Sequence, residues 1–197
     1  MSTLDLAATP TGGVGSRRLR TVVVMAFVAL AIVAGTYVLG NLTGSQGIAL
    51  TGDTSGPRPE VGQPVFDITA TTTDGTAFSL AALKGQPVWL TFGGTWCVDC
   101  RTEAPDLQAA AAKYRPQGLQ VVGVFVGETS AQVTEYAKRV GLDYTFVPDP
   151  TTRITSRFKT LGYPTHLFIG RDGIIKEIRI GGLRPDEMDR LAESILR

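Results

Sequence analysis

Thr95-Trp96-Cys97-Val98-Asp99-Cys100 holds both cysteines of a 197-residue chain, with two residues between them. Thiols at this spacing have three uses. A structural zinc site needs four ligands, and beyond the pair the chain offers a single histidine, His166, so zinc would have to recruit carboxylates. A structural staple across so short a loop would stabilise little, because the entropic benefit of a disulfide falls with the length of the loop it closes. The third use, a dithiol that opens and closes, is favoured by what surrounds the pair. Pro87-Val88-Trp89-Leu90-Thr91-Phe92 reads as a strand buried on both faces, Gly93-Gly94 break it, and a helix is expected from about Cys97 to Tyr114. Cys97 would then stand at a helix N-terminus, where unpaired backbone N–H groups and the positive end of the dipole stabilise a thiolate. Cys100 follows by roughly one turn on nearly the same face, close enough for the sulfurs to bond without moving the backbone. The Cys97 thiolate would attack a partner's disulfide, and Cys100 would attack the mixed disulfide and release the partner.

The rest of the chain must position that centre. A composition of 43% hydrophobic and 19% charged residues is an ordinary globular balance. The formal charge of +1, spread rather than clustered, provides no basic field of the kind nucleic-acid binding needs. Residues 21–40, TVVVMAFVALAIVAGTYVLG, form a charge-free apolar run of the length, about 20 residues, that a membrane-crossing helix needs. The run outlasts the apolar core of a cleavable signal, so an uncleaved anchor is expected, and no cysteine near its end could carry a lipid. Arg17, Arg18 and Arg20 precede it and Asn41-Leu42-Thr43-Gly44 follow, which orients the N-terminus to the cytoplasm and the bulk of the protein outside the cell membrane. The organisation read from this is a cytoplasmic tail over 1–20, the anchor over 21–40, a Gly/Ser/Thr/Pro-rich flexible linker over 41–60, and one compact domain over 61–197.

Within that domain, Val65 to Ala70 alternates apolar and polar residues and Asp74-Gly75 predicts a hairpin to Phe78, followed by a short helix over Ser79 to Leu83. A second buried strand is expected over Leu119 to Val126, and a helix over Ser130 to Val140 with Ser130 as a plausible N-cap. Tyr144 to Val147 reads as a short strand and Thr152 to Leu161 as a helix. Pro164 to Ile169 and Ile174 to Ile180 read as strands joined by a tight Asp172-Gly173 turn, and Pro185 to Leu196 as the closing helix. Strands alternating with helices and ending in a hairpin imply an α/β fold with a mixed sheet covered on both faces.

Trp96-Cys97-Val98-Asp99-Cys100 after a buried strand, with Gly162-Tyr163-Pro164-Thr165 opening another strand 65 residues later, resembles the thioredoxin superfamily. More narrowly it is similar to the membrane-anchored, extracytoplasmic thiol-disulfide oxidoreductases of the TlpA/ResA type, associated with cytochrome c maturation and related thiol-reducing pathways. The resemblance covers about residues 58 to 197 and implies a thioredoxin-like fold. It makes Cys97 the exposed nucleophile, Cys100 the buried resolving thiol and Pro164 a cis-proline packed against them. The backbone of Tyr163 would pair with a substrate peptide, and Trp96 would shield the nucleophile and line the docking surface. Glu103 matches an acidic residue that the subfamily places near its active site; at i+3 from Cys100 it could accept or deliver that thiol's proton.

The partners implied are extracytoplasmic proteins carrying thiols or disulfides, and a membrane thiol-electron carrier, since no nucleotide or flavin motif is present and the redox-active disulfide serves in place of a cofactor. The chain departs from the family pattern at Asp99, which stands where proline often precedes the second cysteine. Its carboxylate should disfavour thiolate and favour a more reducing couple. His166 falls on a strand two residues past Pro164 and is expected to be structural. Two other activities compete: a copper-binding thioredoxin-like chaperone using Cys97, Cys100 and His166 as ligands, and a peroxiredoxin-type peroxidase, against which Gly94 stands where the peroxidatic cysteine should follow Pro87 and Thr91.

Overall fold

The computed structural model describes residues 57–197, together with Arg20, residues 22–32 and Ala34. Two compact units divide the chain near Ala49. In the first, residues 22–32 are helical (α1), and Val22, Met25, Phe27 and Leu30 are exposed. Among the described residues no helix is long and apolar enough to cross a membrane. The expected tail over 1–20 except Arg20, all but the described helical part of the anchor over 21–40, and the linker up to residue 56 lie outside the described residues.

In the second unit a five-stranded sheet runs in the order β5-β4-β3-β6-β7. Its central strand, β3 (Val88–Gly93), pairs in parallel with β4 (Gln120–Val126) and antiparallel with β6 (Thr165–Ile169). β4 pairs in parallel with β5 (Thr145–Asp149), and β6 antiparallel with β7 (Ile175–Ile180). Every residue of β6 is buried and all but the last of β3, as two-faced coverage requires.

The period-two alternation of a strand sorts the core into two layers. Leu90, Phe92, Val122, Val124, Leu167 and Ile169 face one side, where α4 (Arg153–Phe158) contributes Ile154 and Phe158. Trp89, Val121 and Phe168 face the other side. There α2 (Val98–Tyr114) supplies Leu107, Ala110 and Ala111, and α5 (Pro185–Leu196) supplies Met188, Leu191 and Ile195. The alanine block lets α2 approach closely. Phe125 on this side meets Val133, Tyr136 and Ala137 of α3 (Ser130–Val140).

The expected elements are present, with β5 running two residues past the expected Val147 to Asp149 and four further differences. The N-terminal hairpin is short: β1 (Thr69–Thr71) and β2 (Ala77–Ser79) form a separate two-stranded sheet, and the expected strand from Val65 begins only at Thr69. The segment after it is a 3-10 turn, Leu80–Leu83. Thr129 rather than Ser130 caps α3 through a capping box with Gln132, which frees the Ser130 hydroxyl to donate to Thr73 O at 3.0 Å. Helix α4 stops at Phe158 instead of Leu161, because Lys159 turns left-handed with φ 48°.

Helix α5 is rich in good helix formers, but at 12 residues it still depends on the burial of its apolar stripe. Leu191→Ala, at a site 1% exposed, is expected to cost about 2–5 kcal/mol. Urea unfolding with the disulfide intact would show this as a lower midpoint at unchanged slope.

Candidate active site

The exit of β3 determines where the sulfurs lie. A Cβ on Gly93 would fall 2.8 Å from Cys100 Sγ, and one on Gly94 would overlap the Trp96 indole. Both glycines therefore stand where a sulfur and a ring fold back onto the chain. The Cys97 N–H donates to Gly94 O at 3.1 Å, closing the turn, and Cys97 takes the extended N-cap conformation with φ −83° and ψ 121°. Its Sγ accepts the N–H of Cys100 at 3.2 Å. The side chain thus occupies the position from which an N-cap oxygen usually satisfies a helix's orphan donors, and a thiolate there would receive the same hydrogen bond. Cys97 and Cys100 are joined as a disulfide, with Cα atoms 5.3 Å apart.

Exposed apolar side chains stand beside the exposed Asp99 and Arg101 at this end of the domain. Trp96, Val98, Leu161 and Ile180 are each more than half exposed. The Trp96 indole is held by its N–H to Val126 O at 3.0 Å and by an edge-on contact with Tyr163, centroids 5.2 Å apart. Tyr163–Pro164 is a cis peptide. Pro164 is buried beside Cys100, and its carbonyl accepts the N–H of Gly181 at 2.8 Å. The residues expected at the docking surface and at the sulfurs therefore meet at one edge of the sheet, but in this disulfide form Cys97, expected to be exposed, is buried at 8% exposure, and Cys100, expected to be buried, is half-buried.

Beneath the disulfide lies a cavity of about 30 Å³ lined by Cys100, Glu103, Thr91, Pro164, Tyr136 and Tyr144, among others. Glu103 is 5% exposed, and its Oε2 accepts the N–H of Leu183 at 3.0 Å. Its Oε1 lies 3.3 Å from Nε2 of His166, which is fully buried on β6. The structural role expected of His166 is real, since its Nδ1 accepts the indole N–H of Trp89 at 3.2 Å, but its other nitrogen reaches a site residue. That nitrogen faces Glu103 rather than the sulfurs. Burial pushes the Tyr136 phenol above its ordinary pKa, with Arg101 partly opposing. Burial, aided by the charge of Glu103, does the same to Tyr144. Both rings are therefore neutral neighbours of the cavity at physiological pH.

Sequence reasoning missed a second buried carboxylate. Glu128, 3% exposed just beyond β4, accepts the Thr95 N–H at 2.9 Å and the Thr95 hydroxyl, pinning the loop that leads into Cys97. Arg101 Nη1 donates to Thr95 O at 3.1 Å from the other side. Nothing local in the sequence ties Glu128 to a cysteine. Asp99 is exposed beside the Gly182 turn.

The family model described as AhpC/TSA matches residues 61–178. The chain belongs to the AhpC/TSA family. Within the family, the thiol-disulfide oxidoreductase ResA of Geobacillus kaustophilus is 31% identical over 135 residues, 68% of this chain and 78% of that protein. Among solved structures, a thiol:disulfide interchange protein of the thioredoxin family from Chlorobium tepidum is 28% identical at TM-score 0.63, covering 72% of this chain and 99% of that one. A secreted Mycobacterium tuberculosis disulfide oxidoreductase homologous to E. coli DsbE is 26% identical at TM-score 0.59, covering 64% and 95% respectively. Of the chemistries open to family members, the geometry here is that of a dithiol couple. The protein is a thiol-disulfide oxidoreductase with a thioredoxin-like fold.

Because the Cys100 sulfur occupies the space of a missing Cβ, Gly93→Ala should displace it and weaken the disulfide. Titration against a glutathione redox buffer is expected to show the pair shifted at least about tenfold toward the dithiol, roughly 30 mV.

Proposed function

We propose that the protein reduces or exchanges disulfides in extracytoplasmic proteins through its Cys97-Val98-Asp99-Cys100 centre, in cytochrome c maturation or a related thiol-reducing pathway. The observation that carries this reading is the Cys97–Cys100 disulfide at a helix N-terminus, beside cis-Pro164 and within an exposed apolar rim. A rim of Trp96, Val98, Leu161 and Ile180 suits an extended or unfolded polypeptide segment that presents a cysteine among apolar side chains. Tyr163 and Pro164 border the place where such a segment would lie.

The two electrons that reduce a substrate are carried by the Cys97/Cys100 dithiol, so the disulfide left behind needs a second thiol protein to reduce it again. A membrane thiol carrier fits the charge-free run at residues 21–40, which would tether the domain at the outer face of the cell membrane. The exposed apolar side chains of α1 support that placement. The names of the relatives, a ResA oxidoreductase and a secreted DsbE homologue, support a disulfide substrate outside the cytoplasm.

With Cys100→Ser, the mixed disulfide on Cys97 cannot be resolved. Non-reducing electrophoresis of intact cells should show partners trapped on this variant and none on Cys97→Ser; equal background on both would defeat the exchange mechanism.

Asp99 should set the direction of the chemistry. An exposed carboxylate between the two cysteines opposes charge on either sulfur, and Asp99→Asn removes it. The variant is expected to be less reducing by up to about 30 mV, a tenfold change in the exchange equilibrium. The shift should shrink at high salt, as screening of an exposed charge demands.

A further inference from the structure

His166 is the chain's single histidine and has no exposed surface. An imidazole placed in an apolar layer is costly unless both nitrogens find partners. Nδ1 has one, the Trp89 indole at 3.2 Å. An indole nitrogen only donates, so Nδ1 is the unprotonated nitrogen and the hydrogen sits on Nε2. Nε2 makes no hydrogen bond, although it is 3.3 Å from Glu103 Oε1. The other oxygen of Glu103 is already held by the Leu183 N–H. One oxygen is therefore fixed, and a donor waits beside the second.

The charged groups around His166 leave Glu103 as the group this donor serves. From α2 comes Glu103 itself. Directly across on β7 is Arg179, which is paired to Glu177 at 2.5 Å and to Glu187 of α5 at 3.4 Å. From β3 come Thr91 and Trp89, neither of them charged.

We propose that His166 is a positioning residue for the resolving cysteine, its Nε2–H stabilising the ionised carboxyl of Glu103 and aiming it at Cys100. The role rests on the dithiol exchange proposed above. In the resolving step Cys97 is bonded to a partner's sulfur. The Cys100 thiol gives its proton to the Glu103 carboxylate, and its thiolate attacks Cys97 Sγ. The Cys97–Cys100 bond forms, the bond from Cys97 to the partner breaks, and the partner's sulfur leaves with the electron pair and is protonated by solvent. The small cavity shared by Cys100 and Glu103 is the route for the proton and has room for about one water. A carboxylate this deeply buried needs donors before the step, and two are in place, the Leu183 and His166 N–H groups. When the carboxylate is charged, closing the 3.3 Å gap makes the second of these a charge-assisted hydrogen bond.

The test uses the reduced full-length enzyme and Ellman's disulfide in stopped flow. Cys97 attack releases one thionitrobenzoate, and Cys100 attack on the resulting mixed disulfide releases the second. His166→Leu is expected to slow the second release about tenfold near neutral pH and to move its half-maximal rate to higher pH, leaving the first release unchanged. His166→Gln, which keeps a donor toward Glu103, should recover most of the loss, and adding His166→Leu to Glu103→Gln should slow it no further. A folded His166→Leu with the wild-type profile, or a His166→Gln as slow as His166→Leu, overturns the proposal. Should His166→Leu fail to fold, the imidazole ¹⁵N shifts of the wild-type protein decide: the Nε2–H tautomer, perturbed by Glu103→Gln, supports the role, and an Nδ1–H tautomer or indifference to Glu103 overturns it. A wild-type enzyme lacking the second release would instead refute the dithiol exchange itself.

Discussion

Two sulfur atoms have to meet where the central strand of the sheet hands over to a helix, and the second of them has room only because residue 93 lacks a Cβ. That requirement makes the sheet's topology the origin of the site. β4 runs parallel to β3, so its end delivers Val126 and Glu128 to the edge where β3 ends. β6 is antiparallel to β3, so its start brings Pro164 to the same edge. β7 is antiparallel to β6, so its end returns Ile180 and the Gly181-Gly182-Leu183 turn there as well. Four segments far apart in sequence converge on the disulfide because alternate strand directions place their relevant ends together. The edge cannot drift, since β3 is bonded on both sides and its faces are packed against α2, α4 and α5.

What was legible in the sequence is what local pattern controls. The Cys-x-x-Cys spacing, the buried run before it, the Gly-Gly break and the helix that follows all lie within 30 residues, and the structure reproduces them to within a residue at most ends. Pro164 was reached through its place in a motif, since nothing in a Tyr-Pro dipeptide shows a cis bond. The partners that complete the site were not legible, because they are joined across strands. Thr95 meets Glu128 from 33 positions away, and Trp89 meets His166 from 77. The continuous apolar runs of β4 and β6 show that their residues are buried, but only strand order and register show beside what. The N-cap of α3 and the C-terminal end of α4 differ for another cause: a capping box chose Thr129 over its neighbour, and one left-handed Lys159 ended a helix that composition would have continued.

The two buried carboxylates near the disulfide show how similar residues come to different uses. Glu128 has both oxygens engaged, one by the Thr95 N–H and the other by its hydroxyl, in the turn that presents Cys97. A group in that state is an anchor. Glu103 has one oxygen bonded to Leu183 and the other facing a donor that has not closed on it, next to a cavity it shares with Cys100. In the role proposed for it, the bond to Leu183 persists while the His166 donor closes on the second oxygen. Incomplete hydrogen bonding suits a buried acid to accept a proton, and among the described residues Glu103 combines it with a place on the cavity shared with Cys100, which is why the proposed transfer is assigned to it.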